Sequence, residues 1–137
     1  MDRNSVTWSG YWPASPTTFA ADGRFDAGLM RDLMEYYVEA GVSGVLVNGS
    51  AGEWWSLGDE ERTEVARVAC DAVAGRIPVI VGCTAMTAAR VTDFAKAAAD
   101  AGAGPNAAAA QHGGEPQETD DDHGLLVPRP PGGLVRF

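Results

Sequence analysis

The sequence is poor in the residues that bind metals and nucleic acids. Its 137 residues include only two cysteines, two histidines and ten basic residues against nineteen acidic ones, for a formal net charge of −9. Cys70 and Cys83 lack CxxC spacing, which favours two small buried thiols over a disulfide or a metal pair. The negative charge disfavours nucleic acid and anionic membranes as partners, since both require a basic face. We expect neither a metal nor any other cofactor.

Long apolar runs and targeting signals are also missing. No stretch approaches the ~20 consecutive apolar residues that a membrane span needs, although 45% of the residues are hydrophobic. The first residues, Met1 to Asn4, lack the basic-then-apolar pattern of a signal peptide. The chain length predicts one domain at most. We therefore expect a cytoplasmic protein without a membrane partner.

The feature around which the chain is organised is a short apolar run that ends in a glycine-flanked turn. Val45 to Val47 is β-branched and apolar, which predicts a strand buried on both faces. Gly49-Ser50-Ala51-Gly52 follows as a loop with two positions free to adopt positive φ. Ser56 is predicted to cap the next helix, with Asp59 closing a capping box. Such a turn gathers backbone N–H groups and a hydroxyl, which suits a carboxylate or phosphate, although βα loops also contain glycine for purely geometric reasons.

Hydrophobic periodicity predicts three strand–helix units before residue 104. The predicted strands span residues 6–12, 45–47 and 77–81, and the predicted helices run from a cap at Asp26 to about Ala40, over 57–74 and over 88–101. The first helix is expected to bury a stripe formed by Leu29, Leu33, Tyr37 and Ala40, and the second a stripe formed by Val65, Val68, Ala72 and Val73. Alternating strands and helices predict consecutive βαβ units with a parallel sheet.

A fourth strand is not predicted. Residues 101–104 resemble residues 40–44, which connect the first helix to the second predicted strand. After residue 104, however, Pro105 and then an alanine run follow instead of a strand pattern. Residues 105–137 hold five of the eight prolines, both histidines (His112 and His123) and no usable periodicity. This segment contains few large apolar residues, and their burial cannot offset the conformational entropy that the chain would lose on folding. The segment is therefore predicted to be disordered. Its abrupt start suggests coding sequence read out of frame, which resequencing across Gly104 and Pro105 would test.

Several short motifs together resemble one enzyme family. In chain order they are Pro16-Thr17-Thr18-Phe19, Asp22-Gly23, Asp26, residues 40–44, Gly49-Ser50-Ala51-Gly52-Glu53, Ser56-Leu57, Glu60-Glu61-Arg62, residues 75–79 and Gly82. In this order and spacing, the first 104 residues resemble the dihydrodipicolinate synthase / N-acetylneuraminate lyase family of pyruvate-dependent aldolases. Residues 49–53 are similar to the family's Gly-x-x-Gly-Glu motif, and Thr18 departs from a usual proline.

The resemblance implies an α/β fold, the first three βα units of a TIM (β/α)8 barrel. Residues 1–104 would supply strands 1–3 and helices 1–3 of an incomplete barrel, and residues 105–137 an irregular tail. An open sheet of this kind leaves strand edges unpaired and one face half packed, so we expect low stability.

The resemblance also implies a reaction. Family members form a Schiff base between a lysine and the keto group of pyruvate, with a tyrosine relaying protons. Ser50 matches the loop hydroxyl of that relay, and the amides of Ser50 and Ala51, flanked by Gly49 and Gly52, match the carboxylate cradle. Ala51 departs from the hydroxyl residue of most members. Ser50 could instead serve turn chemistry.

Two neighbouring features of the loop have structural interpretations. Glu53 is better explained as a cap on backbone donors than as a catalytic group. Trp54 and Trp55 could wall the cleft, but large aromatic residues more often pack.

The amine that this chemistry needs is missing from its expected place. A Schiff-base lysine must be partly neutral and lie at the carboxyl end of a barrel strand. The single lysine, Lys96, falls inside the third predicted helix, which favours a solvated surface position. Tyr11 lies on or after the first predicted strand, and Tyr36 and Tyr37 on the first helix. The resemblance thus implies a truncated lyase fragment, inactive alone, whose parent binds a small 2-keto acid and forms a homo-oligomer.

Two alternatives remain open from the sequence. The chain could be a non-catalytic α/β fragment or an anion-binding module, folded only on a partner or not at all. A nucleotide-binding domain using Gly49 to Gly52 is disfavoured, because the loop lacks the Gly-Lys-Ser/Thr of a P-loop and the spacing of Gly-x-Gly-x-x-Gly.

Overall fold

The structure is a computed structural model that describes residues 6, 8–103, 108–109, 126–128 and 134–136, the last three ranges by their backbone. In this part of the chain, helices α1 (Ala27–Glu39), α2 (Asp59–Val73) and α3 (Ala88–Asp100) alternate with strands β1 (Val45–Val47) and β2 (Val79–Gly82). Three further short strands follow, β3 (Ala108–Ala109), β4 (Leu126–Pro128) and β5 (Leu134–Arg136). No helix in these ranges is both long and apolar enough to cross a membrane.

The strands form one sheet in chain order, β1-β2-β3-β4-β5. β1 and β2 pair in parallel, with Leu46 opposite Ile80, and the pairing stays parallel through β4. β5 runs antiparallel to β4. The predicted alternation of helices with parallel strands is therefore confirmed for the central units.

The predicted first strand at residues 6–12 is wrong. The described residues there are irregular, and the segment pairs with β1 only through a single parallel bridge between Ala14 and Leu46. Leu46 N donates to Pro13 O at 3.0 Å, and Ser15 N donates to Leu46 O at 2.8 Å. Prolines at 13 and 16 have no N–H to donate, which keeps the ladder this short.

The absence of a fourth strand is also a wrong prediction. Ala108 and Ala109 pair in parallel with Val81 and Gly82 of β2. Backbone groups, which every residue carries, make this pairing, so an alanine run without periodicity can supply it. Strands β4 and β5 also lie within residues 105–137, so the prediction of an irregular tail is wrong at these positions. The remaining residues of this segment, including His112 and His123, lie outside the described residues.

The core lies between one face of β1 and β2 and the three helices. Val45 and Val47 are fully buried, as are Met30 and Met34 of α1. Leu46, which points to the opposite face, is only partly buried. The prediction that β1 is buried on both faces is wrong, because no described element covers that second face.

The helix boundaries follow the predicted ones to within about two residues, but the buried face of α1 differs. In α1 the deepest residues are Met30 and Met34, whereas Leu29 is 51% exposed and Ala40 is exposed. In α2 the predicted stripe is confirmed at Val65, Val68 and Val73, which are buried, while Ala72 is only partly buried. The predicted stripe of α1 was therefore rotated away from the true buried face.

The predicted capping box of Ser56 and Asp59 is wrong. Ser56 ends a 3-10 turn, Trp54–Ser56, where its Oγ donates to Glu53 O at 2.8 Å. Gly58 caps α2 instead, and the Glu61 carboxylate accepts from Gly58 N at 2.9 Å. The other two predicted caps are confirmed: Asp26 accepts from the first amides of α1, and Thr87 from Arg90 N of α3.

Candidate functional site

The loop after β1 forms a 3-10 turn, Ser50–Gly52, that begins from Gly49. Gly52 N donates to Gly49 O and Glu53 N donates to Ser50 O, both at 3.0 Å. Ser50 and Ala51 are the first two residues of the turn, and their backbone N–H groups donate to no acceptor in the described part of the chain. Both residues are exposed. Two adjacent amides at the carboxyl end of β1 are thus free to hold the oxygens of an anion.

The left-handed positions of the loop are not its glycines. Asn48 and Glu53 adopt φ values of 54° and 53°, whereas Gly49 has φ −83°. A Cβ on Gly49 would lie 2.4 Å from Leu46 Cδ2, and one on Gly52 would lie 3.3 Å from Thr17 Oγ1. The expectation of positive φ at two positions of the glycine loop is wrong, because these glycines serve close approach instead.

The far end of the loop is tied to the segment that precedes α1. Thr17 Oγ1 donates to Gly52 O at 2.7 Å in a buried position. Ser15 is 1% exposed, and its backbone pairs with Leu46 of β1. The end of the loop is therefore held by a buried side-chain hydrogen bond, and the strand before it by a backbone bond, while Ser50 and Ala51 stay exposed.

The near end of the loop rests on a buried arginine, Arg62, for which the sequence motifs predicted no role at the site. Asn48 Nδ2 donates to Arg62 O at 2.9 Å, and Arg62 Nη2 donates to Gly82 O at 3.2 Å. The guanidinium carbon lies 3.7 Å from the ring centre of Phe94 and 5.2 Å from that of Trp54. Burial lowers the pKa of Arg62. Besides its place in the Glu60-Glu61-Arg62 motif, its spacing from Val65 places it on the buried stripe of α2.

The residues after the turn do not contact it as predicted. Glu53 is exposed, and its side chain makes no capping hydrogen bond within the described part of the chain, so its predicted capping role is wrong. Its backbone adopts a left-handed conformation that connects the 3-10 turn Ser50–Gly52 to the 3-10 turn Trp54–Ser56. Trp54 is partly buried against Arg62, as packing predicts. Trp55 is 62% exposed and meets Trp54 edge-on.

The amine and phenol groups of the chain lie on other elements. Lys96 is exposed on α3, as predicted. Tyr36 and Tyr37 lie on α1, and Tyr11, 71% exposed, lies in the irregular segment before Ala14. The structure therefore brings the predicted loop residues together and leaves the lysine on the outer surface of the helical layer.

The two cysteines are free thiols, as predicted. Burial raises the pKa of Cys70 and of Cys83 to about 11 each. Among the described residues, no three His, Cys, Asp or Glu side chains are grouped so as to hold a metal.

Comparison with known proteins gives one consistent result. A family model described as the dihydrodipicolinate synthetase family matches residues 7–109. An uncharacterized DapA-like lyase of Rhizobium meliloti is 47% identical over 79 residues, which are 58% of this chain and 26% of the relative. A 4-hydroxy-tetrahydrodipicolinate synthase of Salinibacter ruber is 37% identical over 100 residues, 73% of this chain and 33% of the relative.

A solved structure agrees with these relatives. The crystal structure of YagE from Escherichia coli K12, in complex with pyruvate, superposes with a TM-score of 0.70 and 33% identity over 75% of this chain and 34% of YagE. The chain thus spans about a third or less of the length of the relatives that it matches. The family match also runs five residues past the predicted boundary at residue 104.

Proposed function

Since the chain belongs to the dihydrodipicolinate synthetase family, we propose that it carries the carboxylate-binding loop of a Schiff-base lyase acting on pyruvate or another 2-keto acid. The observation that carries the proposal is the pair of exposed amides of Ser50 and Ala51, both free to donate among the described residues. A relative of the same family was crystallised with pyruvate.

In this proposal the loop binds and orients the substrate. The N–H groups of Ser50 and Ala51 donate to the substrate carboxylate, which fixes the keto carbon relative to the sheet. The amine of a lysine then adds to that carbon, and water leaves as the carbon–nitrogen double bond forms. The Ser50 hydroxyl takes part in the proton relay that protonates the departing oxygen. Gly49 and Gly52 let the turn approach Leu46 and Thr17 closely enough to hold this geometry.

The amine is the part that these 137 residues do not place beside the loop. Lys96 is exposed on α3, so we propose that the chain forms no Schiff base by itself. Helices α1 to α3 and the parallel strands that precede the end of the family match would be the opening units of a (β/α)8 barrel of about 250 residues. The residues beyond the match, where β5 runs antiparallel to β4, would be read out of frame. We further propose that the whole enzyme is a cytoplasmic homo-oligomer.

The carboxylate cradle can be tested with two substitutions at one position. Ser50→Pro removes the amide and the hydroxyl, and it suits the first position of the turn because Gly49 is extended (φ −83°, ψ −172°). Ser50→Ala removes only the hydroxyl. Titrating the ¹⁵N-labelled protein with pyruvate, we expect shifts centred on residues 49–52 in wild type and Ser50→Ala and their loss in Ser50→Pro. Equal binding by all three proteins would contradict the cradle.

The missing amine is tested by reduction. Incubation with pyruvate and borohydride is expected to leave the mass of the chain unchanged, because the part of the chain that the structure describes places no amine at the loop. A covalent mass gain on Lys96 would overturn this part of the proposal. The YagE protein treated in the same way provides a comparison from the same family.

The second candidate function is an anion-binding module without catalysis. It is favoured by the same pair of amides, whose N–H groups could donate hydrogen bonds to any small oxyanion. Titration with inorganic phosphate separates the two functions. Preference for pyruvate over phosphate and acetate supports the lyase, and equal shifts with all three support the module.

A further inference from the structure

Arg62 is a buried cation with an unusual set of partners. It is 4% exposed, and its Nη2 donates to Gly82 O at 3.2 Å. Its charge faces the ring of Phe94 rather than a carboxylate, and Asp59, which lies one turn earlier on α2, is paired with Arg90. Burying a charge is costly unless its donors are satisfied, so the remaining N–H groups of Arg62 need acceptors.

Two buried polar atoms lack a partner in the described part of the chain, Arg62 Nε and Asn48 Oδ1. Asn48 is 2% exposed. Both residues line one cavity of about 10 Å³, together with Thr63, Gly82 and Phe94. One atom is a donor and the other an acceptor, and the space is of the order that a single water occupies.

We propose that one buried water bridges these two atoms, accepting from Arg62 Nε–H and donating to Asn48 Oδ1, and that Arg62 thereby positions the loop. The cavity is too small for a phosphate or a carboxylate. The other lining residues, Ala66, Val81, Ala97 and Ala98, have apolar side chains, so water is the ligand that satisfies both groups.

The bridge acts on the loop through Asn48. This residue immediately precedes Gly49 and holds a left-handed conformation with φ 54°. Its Nδ2 already donates to Arg62 O, and the water fixes its other side-chain atom. Because both polar atoms of the Asn48 side chain are then held, the backbone conformation of Asn48 is fixed, and with it the path of the chain from Asn48 to Ser50. This positioning role rests on the proposed function of the loop, whereas the water itself does not.

The water is tested by NMR on the full ¹⁵N-labelled chain. We expect a dipolar cross-peak between water and Arg62 Nε–H, with exchange of that proton slowed by burial. Asn48→Gly removes the acceptor and tolerates the positive φ, and it should speed this exchange about tenfold by opening the site. Thr63→Val changes a neighbouring lining residue and leaves both bridged groups, so its exchange should match wild type. Absence of the cross-peak in wild type, or equal effects of the two variants, would overturn the proposal.

The positioning role has a separate readout. Arg62→Lys keeps the charge but lacks Nε, and it should shift the Ser50 and Ala51 amide resonances without pyruvate, whereas Thr63→Val should not. Unmoved resonances in Arg62→Lys would refute positioning even if the water is seen. Failure of pyruvate to bind wild type, with the water and the resonance shifts intact, would refute the proposed function alone. If Asn48→Gly does not fold, the wild-type cross-peak and Arg62→Lys decide both parts.

Discussion

Individual glycines mark the places where backbone segments come closest in this protein. A Cβ on Gly82 would lie 2.2 Å from Asn48 O and 2.7 Å from Asn48 C, both backbone atoms. At Gly49 the obstacle is the end of the Leu46 side chain, which can move. The contact between Gly82 and Asn48 therefore fixes how the ends of β1 and β2 meet beneath the loop.

Replacing Gly82 tests this contact. We expect Gly82→Ala to lower the free energy of unfolding by about 1–3 kcal/mol, because backbone atoms must separate to admit the methyl group. Gly58→Ala is the matched control, since its Cβ would meet only Glu61 Oε2 at 3.6 Å, an ordinary contact. Urea unfolding followed by circular dichroism measures both, and equal losses in the two variants would contradict the close approach.

The buried thiol of Cys83 predicts a pH dependence of stability. Burial raises its pKa from 9.0 to about 11 in the folded state. Above pH 9 the unfolded thiol therefore loses its proton first, and stability is lost as the pH rises toward 11. We expect a loss of up to about 3 kcal/mol from this group, with full stability below pH 9. The urea midpoints at pH 8 and pH 10.5 should differ less in Cys83→Ala than in wild type, and identical pH profiles would refute this.

Among the secondary structure elements, α1 depends most clearly on a local signal. Asp26 Oδ1 accepts from Gly28 N at 2.9 Å and from Leu29 N at 3.0 Å, which satisfies two of the first amides of the helix. The helix then buries Met30 and Met34 in the core, where α1 packs mainly on α2. The start of α1 is thus fixed by a side chain, and its orientation by packing.

Removing this cap should destabilise the protein measurably. We expect Asp26→Ala to lower the free energy of unfolding by about 1 kcal/mol. Asp22→Ala is the control, because Asp22 makes only an exposed pair with Arg24 and should have a smaller effect. Thermal unfolding monitored at 222 nm would report both, and a larger loss in Asp22→Ala would exclude the capping role.

The whole molecule has a sheet that is well covered on one face only. Val45, Val47 and Val81 are buried beneath the helices, whereas Leu46 and Ile80, paired on the other face, are partly exposed. The described part of the chain offers no second layer there. Since apolar burial is the main favourable term in folding, we expect the isolated chain to have a small margin of stability.

Denaturation of the isolated chain tests that margin. We expect loss of the far-ultraviolet circular dichroism signal at low urea concentration, or aggregation through the half-covered face. Binding of a hydrophobic dye before unfolding would accompany it. A high and cooperative melting transition would show that the described fold is self-sufficient.

Local signals in the sequence determined the helices, the central strands and the family. The caps at Asp26 and Thr87 and the apolar runs of β1 and β2 act over a few residues, so they could be predicted without knowing the fold. The ordered motifs around Ser50 identified the loop by resemblance. The surface position of Lys96 followed from its place inside a predicted helix.

Only the tertiary structure determined the features that depend on contacts between residues far apart in the sequence. The pairing of Ala108 and Ala109 with β2, the burial of Arg62, and the close approach of Gly82 to Asn48 each join segments far apart in the chain. Alanine carries no periodic signal, and an arginine on a helix is ordinarily exposed. Backbone pairing and packing set these features, and neither is encoded in the residue type at the position itself.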